Sequence, residues 1–107
     1  MNHLPPAIRG YYDASNDHDI ERLVACFAED ACVRDEGEDL VGHQAIRNWA
    51  IKVRDKYKTT SEVLSHDARD GADFVTAKVT GTFPGSPIEL TYRFGLEDGR
   101  IASLAIA

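Results

Sequence analysis

Residues 31–46 read ACVRDEGEDLVGHQAI. The stretch begins as an apolar strand and ends as the first turn of a helix. Between the two lie Asp35, Glu36, Glu38 and Asp39. Like charges this close repel one another, so the group as a whole favours open water. For Asp35 the local pattern leaves two readings. It is one more solvated turn acid, or it is the last residue of a strand and faces inward. What such a strand would face depends on the chain to either side.

Upstream the pattern is helical. LPPAIRGYYDA, residues 4–14, opens with prolines suited to a first turn and repeats Leu4, Ile8, Tyr11 and Tyr12 at helical spacing. SNDHD, residues 15–19, is a break in which Asn16 or Asp17 is placed to cap the next helix. Asp19 and Glu21 suit that helix's positive end, and Ile20, Leu23, Val24 and Phe27 form its apolar stripe. EDACVRD, residues 29–35, then reads as a short strand. Past the acidic turn, Gly42 precedes a third helix over roughly residues 43–56, with Ile46, Trp49, Ala50 and Val53 on its apolar face. Lys52, Arg54, Lys56 and Lys58 crowd its C-terminal end, where cations are favoured.

From Lys58 onward the period changes to two. KTTSEVLSHDAR (58–69), DFVTAKVTGTF (73–83), IELTYRFGL (88–96) and IASLAIA (101–107) read as strands. They are separated by turns at RDGAD, PGSP and EDGR. Helices first and antiparallel strands afterwards make an α+β layout. Three N-terminal helices would pack on a strongly curved, mostly antiparallel sheet, leaving a conical hollow between the layers.

Composition narrows the function. A chain of 107 residues fits a single domain, residues 1–107, large enough to bury a core. With a net charge of −6 and no basic stripe, neither nucleic acid nor an anionic membrane is an expected partner. Cys26 and Cys32 fit no zinc spacing and read as reduced, semi-buried thiols. No apolar run reaches membrane-spanning length, and MNHLPPAIRG lacks the charged start and apolar core of a secretory leader. A cytoplasmic location is the expectation. There is no nucleophile elbow, phosphate loop or metal cluster, so neither a metal nor another cofactor is expected.

The stretches HDIERLVACFAEDACVRDE, LVGHQAIRNW and YRFGLEDGRIASL resemble the nuclear transport factor 2-like superfamily, in its SnoaL-like and ketosteroid isomerase-like branch. The resemblance covers essentially the whole chain and implies the cone-shaped α+β roll, related to the cystatin-like roll. It implies a pocket for a small organic molecule and a homodimer formed through the sheet. It also implies catalytic positions. A tyrosine eight residues before the Asp19-Ile20 pair is Tyr11, and a proton-shuttling acid at the end of the first strand is Asp35. A third position, eight residues before the turn glycine Gly99, is Thr91, where those isomerases carry an acid. Ketosteroid isomerase keeps that acid neutral to hydrogen-bond an oxyanion; Thr91 offers only a hydroxyl. The chain also ends where such proteins usually continue, which should leave the pocket more open.

Two functions follow. One is a cofactor-independent isomerase or cyclase, with Asp35 as general base and Tyr11, helped by Thr91, holding the enolate oxygen. The other is a non-catalytic ligand-binding or dimerisation domain. Tyr12, Trp49, His66, Arg93 and Leu104 are the further pocket candidates. Tyr12, Trp49 and His66 also have plainer readings: a core ring for Tyr12 and Trp49, a strand-end histidine for His66. IELTYRFGL carries an apolar row (Ile88, Leu90, Tyr92, Phe94) and a polar row (Glu89, Thr91, Arg93). Local alternation turns the apolar row to the core. The resemblance turns the polar row to the cavity, where Arg93 could pair with Asp35 and lower its pKa, and frees the apolar row for a partner subunit.

Overall fold

The computed structural model describes residues 4–107; residues 1–3, the start of the segment expected not to be a secretory leader, lie outside the described residues. Three helices and six strands follow in chain order: α1 Pro6–Asn16, α2 Ile20–Ala25, β1 Phe27–Asp35, β2 Glu38–Val41, α3 His43–Tyr57, β3 Thr60–Arg69, β4 Ala72–Thr80, β5 Ile88–Glu97 and β6 Arg100–Ile106. The strands form one sheet in the order β2-β1-β6-β5-β4-β3. Every neighbouring pair is antiparallel except β1 with β6. This is the expected helix-layer-on-curved-sheet architecture.

Local chemistry sets the boundaries. α1 starts at Pro6, where a missing N–H costs no helical hydrogen bond. α2 is capped by Asp19, whose side chain accepts from the Arg22 N–H at 3.2 Å. The expected caps serve elsewhere. Asp17 pairs with Arg22, and Asn16 bonds both the N–H (2.7 Å) and the C=O (2.9 Å) of Ser61. α2 is also shorter than its stripe suggested, because Phe27 leaves the helix and opens β1, fully buried. Three two-residue turns, Glu36-Gly37, Asp70-Gly71 and Asp98-Gly99, have both central residues at positive φ, the geometry whose twist suits a tight hairpin.

The first of these hairpins revises the reading of the acidic stretch. Glu38 and Asp39 are not turn residues but open β2, with Asp35 opposite Glu38 and Arg34 opposite Asp39. The Arg34 guanidinium grips the Asp39 carboxylate through two N–H groups, at 2.8 and 3.2 Å.

One face of the sheet meets the helices. Val33, Val75, Ala77, Phe94 and Leu104 pack there against Ile8, Leu23, Ile46 and Ala50, all buried. On β5 the local alternation rule prevails. Tyr92 and Phe94 are buried, whereas Glu89, Thr91 and Arg93 are exposed on the opposite face. Tyr92 and Phe94 of the apolar row are therefore core, while Leu90 is half-buried and Ile88 exposed. Register shifts in the β1–β6, β3–β4 and β5–β6 pairs bend the strands around the helices. Cys26 and Cys32 are both free thiols. No helix among the described residues is long and apolar enough to cross a membrane.

Candidate functional site

A cavity of about 510 Å3 opens where β1 and β6 end and β3 and β5 begin. α1 supplies Tyr11 to its wall, and α3 supplies Trp49, Val53 and Tyr57 on successive turns. The sheet supplies Asp35 from β1, Leu90 and Tyr92 from β5, and Ile106 from β6. At the far end Phe83 stacks edge-on against Tyr57, with ring centres 5.9 Å apart. Gly81 is required there, because a Cβ would lie 2.5 Å from the Tyr57 carbonyl oxygen.

Asp35 faces inward. As the last residue of β1 it lies two positions beyond buried Val33, on the same face of the strand. The Trp49 indole N–H donates to its Oδ2 at 3.0 Å. Burial pushes the Asp35 pKa above its usual value; the Trp49 hydrogen bond opposes the rise, and neighbouring Glu36 and Glu38 add to it. Two phenols share this end of the cavity. Tyr11 is 5% exposed, and burial holds its hydroxyl protonated, with Tyr92 and Asp35 acting in the same direction. Tyr92 is pushed up to about 12 by burial, against a hydrogen bond with Ser61 and with Asp35 adding to the rise. The aromatic centres of Tyr11 and Tyr92 are 6.3 Å apart.

Of the residues singled out from sequence, Asp35, Tyr11 and Trp49 thus meet in one cavity. The others do not. Thr91 and Arg93 are exposed on the outer face, since Tyr92 points inward and strand side chains alternate. Arg93 lies over the Phe74 ring at 5.9 Å and cannot hold Asp35. Leu104 is 1% exposed, filled in by the core away from the cavity. His66 bonds Asp73 at 2.8 Å and lines no part of the cavity. Tyr12 packs edge-on against Tyr11 (5.0 Å) and Tyr92 (5.4 Å) and borders a separate cleft of about 250 Å3 between α1 and β3. Its hydroxyl is buried without a hydrogen-bond partner.

Two features went unread in the sequence. Tyr92 belongs to the apolar row that alternation turns inward, but its phenol at the cavity was not among the expected site residues. No local signal announces the Trp49–Asp35 bond, which joins a helix to a strand end. Among the described residues, no group of three or more His, Cys, Asp or Glu side chains could hold a metal ion.

The family model of the SnoaL-like domain matches residues 8–104. This chain belongs to the SnoaL-like domain family. No curated protein matches its sequence. Among solved structures, the SnoaL-like chain is similar to a candidate polyketide cyclase (protein SMa1630) from Sinorhizobium meliloti, with 40% identity, a TM-score of 0.93, and coverage of 97% of this chain and 95% of that one. Two more distant structures share the fold. One is a protein of ketosteroid isomerase-like fold from Catenulispora acidiphila, in complex with trimethylamine: 15% identity, TM-score 0.84, coverage 96% and 85%. The other is SalBIII, an epoxide hydrolase/cyclase-like enzyme in pyran ring formation in the polyether salinomycin: 21% identity, TM-score 0.81, coverage 94% and 85%.

Proposed function

We propose that this SnoaL-like chain, acting as one domain over residues 1–107, binds a small organic carbonyl compound in the cavity and catalyses a cofactor-independent isomerisation or cyclisation. The observation that carries this reading is the half-buried Asp35 carboxylate, fixed by Trp49 at 3.0 Å in a cavity that also holds the Tyr11 and Tyr92 phenols. Trp49 donates to Oδ2 and the Glu36 backbone N–H also donates to the carboxylate; the remaining lone pairs act as the base. A carboxylate with a raised pKa is the better base for a carbon acid near neutral pH.

The chemistry balances with these groups alone. Asp35 takes the proton from the carbon next to the carbonyl, and the C–H electron pair becomes the enolate. Tyr11 and Tyr92, both kept protonated, donate hydrogen bonds to the enolate oxygen. In an isomerisation, Asp35 returns the proton to a different carbon. In a cyclisation, the enolate carbon attacks a second carbonyl of the same molecule, and the new alkoxide takes the proton. Tyr92 fills the role that the resemblance gave to Thr91.

The test is proton–deuterium exchange at the α-carbon of small cyclic ketones in D2O, followed by NMR. Exchange should be saturable and fall about 10²–10⁴-fold in Asp35→Asn. Exchange that is undiminished in that variant would remove Asp35 from the mechanism. One observation favours a second reading, a non-catalytic binding domain: the acids on the cavity wall among the described residues are Asp35 and Glu36 only, with no second acid facing Asp35. That reading predicts ligand binding without exchange.

We also infer a homodimer packed through the outer face of the sheet. Glu89, Thr91 and Arg93 lie in one exposed row there. A twofold axis near Thr91 would set Glu89 of each copy against Arg93 of the other. A monomer by light scattering at micromolar concentration refutes it.

A further inference from the structure

The cavity contains a carboxylate without a cation. Asp35 receives the Trp49 N–H at 3.0 Å, and none of the ion pairs among the described residues reaches it. Of the basic side chains on the wall, Arg54 is bonded to Asp55 at 2.9 Å, and His18 pairs through Nε2 with the Thr59 carbonyl at 3.1 Å; Arg54 is the one that is always charged. It also lies five residues beyond Trp49 along α3, roughly 7.5 Å further down the helix axis. The charged residue next to Asp35 on the wall is another acid, Glu36. Charges withdrawn from water in proteins are normally paired, and this half-buried one is met only by neutral donors, the Trp49 indole N–H and the Glu36 backbone N–H.

The remaining wall is mostly aromatic and aliphatic, with Ser15, His18, Thr59 and Ser61 as its polar members. Tyr11, Trp49, Tyr57, Phe83 and Tyr92 all border the cavity. Aromatic rings around an acid are a favourable environment for an organic cation, through the ring quadrupole as well as the ion pair. A neutral ligand leaves the Asp35 charge uncompensated, and an anionic one adds repulsion from both Asp35 and Glu36.

We infer that the cavity also binds protonated organic amines with an apolar body, the ammonium group seated on Asp35 and the body lying along Val53, Leu90 and Ile106. The inference rests on the cavity and on Asp35 facing it, not on turnover. An amine would occupy the place of the carbonyl substrate and therefore compete with it.

The single tryptophan of the chain provides the readout, because Trp49 touches Asp35. Benzylamine, charged at pH 7.5, and benzyl alcohol, its neutral counterpart of nearly equal shape, are titrated against the full chain by Trp49 fluorescence and by calorimetry. Benzylamine should saturate with an affinity at least tenfold above benzyl alcohol, and benzoate should bind more weakly than either. Asp35→Asn should lower benzylamine affinity at least tenfold and leave benzyl alcohol within about twofold. Glu97→Gln, exposed at the end of β5 and away from the cavity, should change benzylamine affinity less than threefold. The inference is overturned if benzyl alcohol binds as tightly as benzylamine, if Asp35→Asn retains benzylamine affinity, or if calorimetry finds no saturable benzylamine binding. Should Asp35→Asn fail to fold, the comparison of the two ligands on the unaltered protein decides. Absence of isotope exchange with ketones would sink the catalytic reading and leave amine binding standing, and the converse holds equally.

Discussion

Tyr12→Phe should make this protein more stable. The Tyr12 ring is 4% exposed and packed edge-on against Tyr11, Tyr92 and Phe94, at centroid distances of 5.0, 5.4 and 6.0 Å. Its hydroxyl is buried and has no hydrogen-bond partner among the described residues. In the unfolded chain that hydroxyl is hydrated, so folding strips it of water and returns nothing. Leaving such a group unsatisfied costs about 1–3 kcal/mol. Phenylalanine keeps every ring contact and removes the penalty, so the variant should gain about 1–2 kcal/mol. For a domain near 100 residues, each kcal/mol moves the melting temperature by about 4–8 °C. Urea unfolding followed by Trp49 fluorescence measures the change directly, and an unchanged m-value would show that the gain belongs to the folded state's stability. A variant less stable than the parent refutes the reasoning: the hydroxyl would then have a partner, such as an ordered water in the neighbouring cleft.

Asn16→Ala should do the opposite. It removes two hydrogen bonds that tie the end of α1 to Ser61 at the start of β3, and urea unfolding should register a loss of about 2 kcal/mol, at about 1 kcal/mol per bond. Asp35→Asn should have a pH-dependent effect on stability. Burial raises the Asp35 pKa above its ordinary value of 3.8, so as pH rises the unfolded chain releases this proton before the folded one. Stability from this group is therefore full below 3.8 and declines until the folded carboxyl has ionised. Asparagine does not titrate, so the variant's stability relative to the parent should rise with pH across that window, and urea unfolding at a series of pH values checks the slope. On isotope exchange, Tyr92→Phe should cost about 10²-fold, whereas Thr91→Val should leave the rate within about twofold; the reverse ordering would restore Thr91 to the cavity.

The fold was legible because its signals are local. Asp70-Gly71 and Asp98-Gly99 announce hairpins wherever they stand between apolar runs, and the stripe from Ile46 to Val53 marks α3. Phe27 was not legible, since a short apolar run continues a helical stripe as well as it opens a strand. The site was half legible. Asp35 follows from the end of a strand that the chain marks clearly and from the resemblance, and Tyr11, in the middle of α1, from the resemblance alone. Thr91 came from a count along a strand, where an error of one residue exchanges inside for outside. Tyr92, one residue on, is the side chain that the strand's own alternation turns inward. The Trp49 partner of Asp35 depends on how α3 lies across the end of β1, which no periodicity encodes.

The parallel pairing of β1 with β6 has a consequence for how the protein folds. β3, β4 and β5 pair with near neighbours in the chain, but Val33 lies against Leu104, about 70 residues later. Closing a loop of that length carries an entropic cost that hairpins avoid. β1 can zip to β2 alone, and α3, next in the chain, packs on both strands. The strands that bring Tyr92 to Asp35 reach β1 only through β6, so the cavity wall is complete only once distant parts of the sequence have met.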